Sequence, residues 1–297
     1  MATAADMTTT TMASWTPAVW SAKPTVTYRS NVVAVPQLDH SWEPELGVGR
    51  GNKVYIPGFT QNTDAANRGA GTGTFGTGAA VAWHAETEGQ TTLTVNRWYY
   101  KAFRQPVEAA AQIMPNYMTL LLKGHGEAIA LQVDSDIFSD NTSGMDAATA
   151  VGGVDNVDLT EDDLTTVETA LNNQNAPATN RYADLSPASI GSLRKIESIR
   201  NSLYASTVGN LAQDKGLGFQ GKVGTFDLHM TNNLETGTSG KKNYFFHKEF
   251  IAYAEQLSLL TEKGTNMEDG MFMQYLTYTT CGFVVVKNAF AYELAGK

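Results

Sequence analysis

A single cysteine, Cys281, among 297 residues excludes an internal disulfide framework and any all-cysteine metal site. Set in "YTTCGFVVV", it reads as a small buried hydrophobe of a chain that folds in a reducing compartment. No apolar run reaches the roughly 18 residues of a membrane span. The opening "MATAADMTTTTMAS" lacks the basic start and apolar stretch of a secretory signal, so a soluble, non-exported chain is expected. Lys and Arg are missing altogether from 124–180, which holds Glu127, Asp134, Asp136, Asp140, Asp146, Asp155, Asp158, Glu161, Asp162, Asp163 and Glu168. Those eleven leave 19 of the 30 acids to face 21 basic residues, so the net charge of −9 comes from this one stretch. A nucleic-acid reader needs the opposite, a basic stripe. The stretch either docks a basic partner, keeps a surface from adhering to DNA, or is simply a solvated acidic face.

Catalytic patterns are also scarce. "GTGTFG" (Gly71, Gly73, Gly76) is formally GxGxxG, but Thr and Gly continue on both sides where a dinucleotide site needs a strand before and a helix after. No GxxxxGK[ST] phosphate cradle and no GxSxG elbow occur. Asp134 and Asp136 form a DxD whose members lie about 200° apart on a helix and cannot share one ion. The acids from Asp155 to Asp163 lack the calcium-loop pattern, and His40, His84, His125, His229 and His247 are scattered without ligand spacing. No catalytic, cofactor-binding or metal residue is therefore assigned, and the chain is not expected to be an enzyme.

What is present suits one large core or two modest ones, and neither calls for a cofactor. Residues 1–48 read as an extended arm, because Thr and Ala dominate and "PTVTYRSNVVAVP" alternates β-branched and polar residues. From Gly51 to Phe103 the pattern gives a long hairpin: "NKVYIPGF" runs out, a Gly/Thr/Ala tip spans Thr60 to Ala80, and "TTLTVNRWYYKAF" runs back. Such an excursion cannot pack on itself, and its strand edges invite a partner. Pro115 then breaks a helical block, and Met118, Leu122, His125, Ile129, Val133 and Ile137 share one side of a helix predicted over Asn116–Ser139. Gly124 and Gly126 weaken it, so close packing or a bend is expected there. "LTEDDLTTVETALNNQ" carries a helix start, with Thr160 as cap, Asp163 three residues on, and Leu159 and Leu164 spaced as a hydrophobic staple. "APATNRYADLSPASIGSLRKI" reads as loop, strand and helix, "GKVGTFDLHMTNNL" as one strand, and "KNYFFHKEFIAYAEQLSLL" with "MFMQYLTYTTCGFVVVKNAFAYEL" as buried strands.

In this order, the segments resemble the major capsid proteins of tailed bacteriophages, the Hong Kong 97-like capsid fold. "GNKVYIPGF" and "TTLTVNRWYYKAF" look like the two strands of that family's extended loop, and "EAIALQVDSDIF" like the end of its spine helix. "TTVETALNNQNAPATNRYADLSPASIGSL" resembles its helix, loop with Pro and Arg, strand and next helix. "GKVGTFDLHMTNNL" is similar to its glycine, short strand, aromatic, strand and asparagine-rich turn, while "FFHKEFIAYAEQL" and "TYTTCGFVVVKNAFAYEL" resemble its closing strands. "RKIESIRNSLYASTVGNLAQDKGLGFQG" follows the pattern only loosely.

The resemblance implies an α+β fold with an N-terminal arm (1–48), an extended loop (49–103), a peripheral domain (104–145 and 248–281) and an axial domain with a central sheet (146–247 and 282–297). It implies a homo-oligomer, the pentamers and hexamers of an icosahedral head enclosing double-stranded DNA. A portal protein, a separate scaffolding protein and a decoration or cement protein are the partners implied, with no membrane. The location implied is the virion, after assembly in the host cytoplasm. An encapsulin-like nanocompartment shell is the nearest alternative; a β-rich tail or adhesin component and a hydrolase with a dispersed site stand further off.

Overall fold

The computed structural model describes residues 32–46, 51–60, 87–107, 117–200, 209–210, 219–238, 240–266 and 271–297. Pro115 and the following apolar spacing give α1 (Tyr117–Ser139), one residue shorter than expected. His125, Ile129, Val133 and Ile137 are buried along its predicted side, and Phe138 joins them. Asp140 ends it: its Oδ1 accepts the N–H groups of Thr142 and Ser143, both at 2.8 Å. Of the two glycines, only Gly126 is closely approached, by Leu259, whereas Gly124 faces open space.

Seven strands form the central sheet, in the order β4 (Thr149–Gly153), β12 (Ala291–Gly296), β9 (Lys241–His247), β5 (Arg181–Leu185), β8 (Phe226–Met230), β7 (Phe219–Val223) and β6 (Gly209–Asn210). The β12–β4 and β5–β8 pairs are parallel and the others antiparallel. Side-chain alternation divides its apolar residues between two faces. Ala183, Leu185, Leu228, Phe245 and Leu294 meet Leu164, Val167 and Leu171 of α2 (Glu161–Asn173) and Ile190 and Leu193 of α3 (Pro187–Leu193). Tyr182, Tyr244 and Phe246 cluster instead with Ile137 and Phe138 of α1 and with Val33 and Leu38.

The helix start expected at Thr160 is present: its hydroxyl accepts the Asp163 N–H while the Asp163 carboxylate accepts the Thr160 N–H, and Leu159 and Leu164 lie in one core cluster. Thr160→Ala should lower stability by about 1 kcal/mol, read as a lower urea midpoint at unchanged slope. An unshifted midpoint would show that water caps this end equally well.

A second sheet orders β10 (Ile251–Asn266), β11 (Phe272–Val285) and β3 (Arg97–Pro106), and a separate two-stranded ribbon pairs β1 (Lys53–Thr60) with β2 (Thr87–Thr94). The returning arm of the expected hairpin is thus two strands. The ladder from Lys53↔Thr94 to Thr60↔Thr87 belongs to the hairpin, and Arg97–Pro106 leaves it for β11. The division falls where Gly282 of β11 crosses the chain. A Cβ on Gly282 would overlap the Thr94 carbonyl oxygen, so only glycine lets the two backbones pass.

Two further expectations change. "GKVGTFDLHM" is a hairpin, since Gly224 adopts φ +58° and opens a two-residue turn between paired Val223 and Phe226. Residues 32–46 of the expected extended arm instead form short 3-10 turns, Val35–Gln37 and Glu43–Leu46, and bury Val33, Ala34, Leu38 and Leu46. Pro36 fits the first turn and the apolar residues find the core, which overrides the β alternation. The GxGxxG tip and most of the 194–221 segment lie outside the described residues.

Candidate assembly surface

The acidic stretch is bound into the chain by cations and donors from elsewhere. The Arg97 guanidinium donates to Asp140, Lys242 pairs with Asp146, and Lys195 and Lys297 reach Asp158 at 2.8 and 2.6 Å. Hydrogen bonds from those two lysines hold Asp158 down at about 2. Burial works against ionising Asp140, yet the Ser143 and Thr142 N–H groups and Arg97 together keep it below the usual carboxylate range. Asp136 accepts the Tyr99 hydroxyl at 2.7 Å, Asp155 the Thr238 N–H at 3.0 Å, and Asp163 caps α2. Asp134 is buried on the opposite side of α1 from Asp136, so the DxD holds no common ligand, as the helix angle requires.

Among the described residues, no three His, Cys, Asp or Glu side chains come together as a metal site, and no helix is long and apolar enough to cross a membrane. His40 meets Glu43 and Tyr253, His125 packs edge-on to Phe103, His229 lies against Tyr182, and His247 against Phe290. His84 is outside the described residues. Burial raises the Cys281 thiol to about 11, which suits the inert core position expected of it. A groove of about 550 Å³ runs past Ala102, Arg104, Glu262, Lys263 and Tyr275, and one of about 300 Å³ lies between Val35, Ile129, Val133, Tyr253 and Leu259. Neither gathers catalytic groups.

The uncommitted surface is β structure. At the base of the β1–β2 ribbon Ile56, Leu93 and Val95 are buried with Leu46, Ala252 and Ala254. Further out, Pro57, Gly58, Gly89 and Gln90 are exposed, so at these positions the ribbon is held by backbone pairing and not by a core. In the three-stranded sheet one face is committed to α1: Tyr99 reaches Asp136, and Phe103, stacked on Tyr275 at 4.9 Å, touches His125.

The other face is bare. Cross-strand register aligns Trp98 with Thr280, Tyr100 with Tyr278, and Tyr278 with Leu260. Trp98 and Tyr100 stack at 4.8 Å while staying 55% and 60% exposed, and Leu260 is 44% exposed. Among the described strands β3 is also a sheet edge. An aromatic strip on such a strand suits a second polypeptide and not a small substrate. Sequence reading identified the ribbon as such a surface but missed the strip, although the alternation "RWYYKAF" carried its signal.

No protein-family model matches this sequence, and no curated protein does. Solved structures do. A chain of Mycobacterium phage Che8 is 18% identical, with 95% of this chain and 98% of that chain covered at a TM-score of 0.73. The capsid structure of cyanophage P-SCSP1u matches at 13% identity over 95% and 93% of the two chains, TM-score 0.67. The mature capsid of bacteriophage PhiM1 matches at 12% over 95% and 92%, also at 0.67. At these identities the likeness is one of fold, and it extends over nearly the whole of each chain.

Proposed function

Because the chain has the Hong Kong 97-like capsid fold, we propose that it is the major capsid protein of a tailed bacteriophage, a shell-building subunit without catalysis of its own. The observation that carries this reading is the near-complete coverage of both chains in each match, so that the likeness spans the whole of the fold and not one part of it. The bare surfaces agree with it. A ribbon without a core and an aromatic strip at a sheet edge are liabilities in a dispersed monomer and contacts in a ring of copies.

In this reading the subunits form pentamers and hexamers around double-stranded DNA, with a portal at one vertex. The α1 and β3–β10–β11 body is the peripheral domain, and the seven-stranded sheet is the axial domain. The net charge of −9 suits a wall that contains DNA without gripping it. The phage origin of the matched structures favours a genome container over an enzyme-housing shell. A separate scaffolding protein, a decoration protein as a further partner, and assembly in the host cytoplasm complete this reading.

Expressed alone and concentrated, the chain should form sheets, spirals and irregular shells under negative stain. A monodisperse monomer at high concentration would overturn the capsid reading. Closed shells of one size would overturn the assignment of a separate scaffold.

A further inference from the structure

Where residues 33–39 cross the core, two polar side chains face each other with half their hydrogen-bonding groups unused. Asp184 of β5 is fully buried and Gln37 is 3% exposed. The Gln37 amide donates Nε2–H to Asp184 Oδ1 at 3.0 Å. Asp184 Oδ2 and Gln37 Oε1 are both buried and without a partner. An ionised carboxylate leaves this arrangement unresolved, since it offers only acceptors to an amide oxygen that is itself an acceptor. A neutral carboxyl resolves both ends at once: its O–H donates to the amide oxygen while its carbonyl accepts the amide N–H. Two orphaned atoms become one reciprocal pair.

The surroundings favour the proton. From α1, Asp134 presents a like charge. It accepts the N–H groups of Val33 at 3.1 Å and Ala34 at 2.8 Å and the Asn233 amide at 2.7 Å, donors that favour the carboxylate against the burial that raises its own value. On the neighbouring strands, the register partners of Asp184 are Tyr244, whose hydroxyl turns to the Phe138 carbonyl and Asp146, and His229, whose ring lies against Tyr182. On β5 itself, Arg181 sends its guanidinium to Pro177, Ala176, Asn172 and Thr225. Asp39, from the crossing segment, is occupied with Ser41. Burial, with the Asp134 charge adding to it, therefore holds Asp184 well above the ordinary aspartate value, against the single opposing bond from Gln37.

We propose that residues 33–38 are fastened to the body by a proton latch, in which neutral Asp184 pairs reciprocally with Gln37 beside an Asp134 carboxylate that receives the Val33 and Ala34 backbone. The far end of the segment is fastened differently, since Asp39 N–H donates to the Ile251 carbonyl at 3.1 Å and Tyr253 N–H to the Asp39 carbonyl at 2.9 Å. Those bonds carry no titrating group. Removing the proton from Asp184 thus loosens residues 33–38, whose remaining hold is the Asp134 bonds and their buried side chains, and leaves the anchor at Asp39 in place. The inference concerns the subunit alone and stands whether or not the capsid reading does.

The sign follows from linkage. A folded-state value raised above the unfolded one, about 3.9 for aspartate, gives stabilisation that is complete below the unfolded value, declines as pH rises between the two, and is gone above the folded one. Hydrogen exchange of the full-length chain, corrected at each pH with an unstructured control peptide, tests this. Protection of a peptide covering 33–38, relative to one covering 251–254, should fall by up to about tenfold per pH unit between the unfolded and folded values, one proton's worth, and level off above. Asp184→Asn, a neutral amide that can still pair with Gln37, should flatten the profile. A flat wild-type profile, a variant as steep as wild type, or parallel loss in both peptides would overturn the latch. Should the variant fail to fold, infrared spectroscopy of the wild type decides: a protonated-carboxyl band that persists above the ordinary aspartate range and bleaches where the protection profile levels off supports it, and its absence refutes it.

Discussion

Replacing residues 59–88 by a two-residue Asn-Gly turn leaves the subunit folded and abolishes closed shells. Gly58 and Gly89 are direct partners in the ladder, so an Asn-Gly turn closes the shortened hairpin at its existing register. Among the described residues, what the ribbon contributes to the core lies nearer the body than this cut: Ile56, Leu93 and Val95 stay packed with Leu46, Ala252 and Ala254. The melting temperature should therefore move by no more than about 2–4 °C, the equivalent of about 1 kcal/mol in a domain of this size. Size-exclusion chromatography and electron microscopy, with scaffold supplied, should show capsomers or free subunits where the wild type gives shells. If the variant loses its cooperative melt, the outer ribbon is part of the fold. If shells persist, it is not the contact the subunits use.

Arg181→Met should cost roughly 3 kcal/mol, one of the largest losses available to a single substitution here. Arg181 is 1% exposed and opens β5. Its Nε donates to the Pro177 carbonyl at 2.8 Å, Nη2 to the Ala176 carbonyl at 2.7 Å and to Asn172 at 2.8 Å, and Nη1 to Thr225 at 3.2 Å. One fork therefore ties the loop after α2 to the β7–β8 turn. Methionine fills similar space and leaves those acceptors unpaired. Arg181→Lys should recover little, because an ammonium cannot reach four acceptors spread across a plane. Urea unfolding of both variants checks this, and a loss below about 1 kcal/mol for Met would mean that water replaces the fork.

How much of this could be read beforehand depends on the range of the forces involved. The bounds of α1 were legible because Pro115 and the apolar spacing act locally, and the Thr160–Asp163 cap because a helix start is a short-range pattern. The overall fold was legible through the order of segments. What escaped depended on distant partners. The break between β2 and β3 is made by Gly282, which nothing near residue 95 announces. The partners of the acids lie far off in sequence, |i−j| = 96 for Lys242–Asp146 and 43 for Arg97–Asp140, so the stretch looked uncompensated. Residues 32–46 kept their strand-like alternation in the sequence and lost it to burial. The proton latch could not be anticipated at all, since Gln37 and Asp184 lie 147 positions apart.

The order of the central sheet also governs when the molecule can be completed. Strand β12, at 291–296, is inserted between β4 and β9, which the ribosome makes about 140 and 50 residues earlier. Until β12 emerges, both neighbours present open ladders with nothing between them, so the seven-stranded sheet cannot close. Closure of this layer therefore waits on the strand made after all its other members.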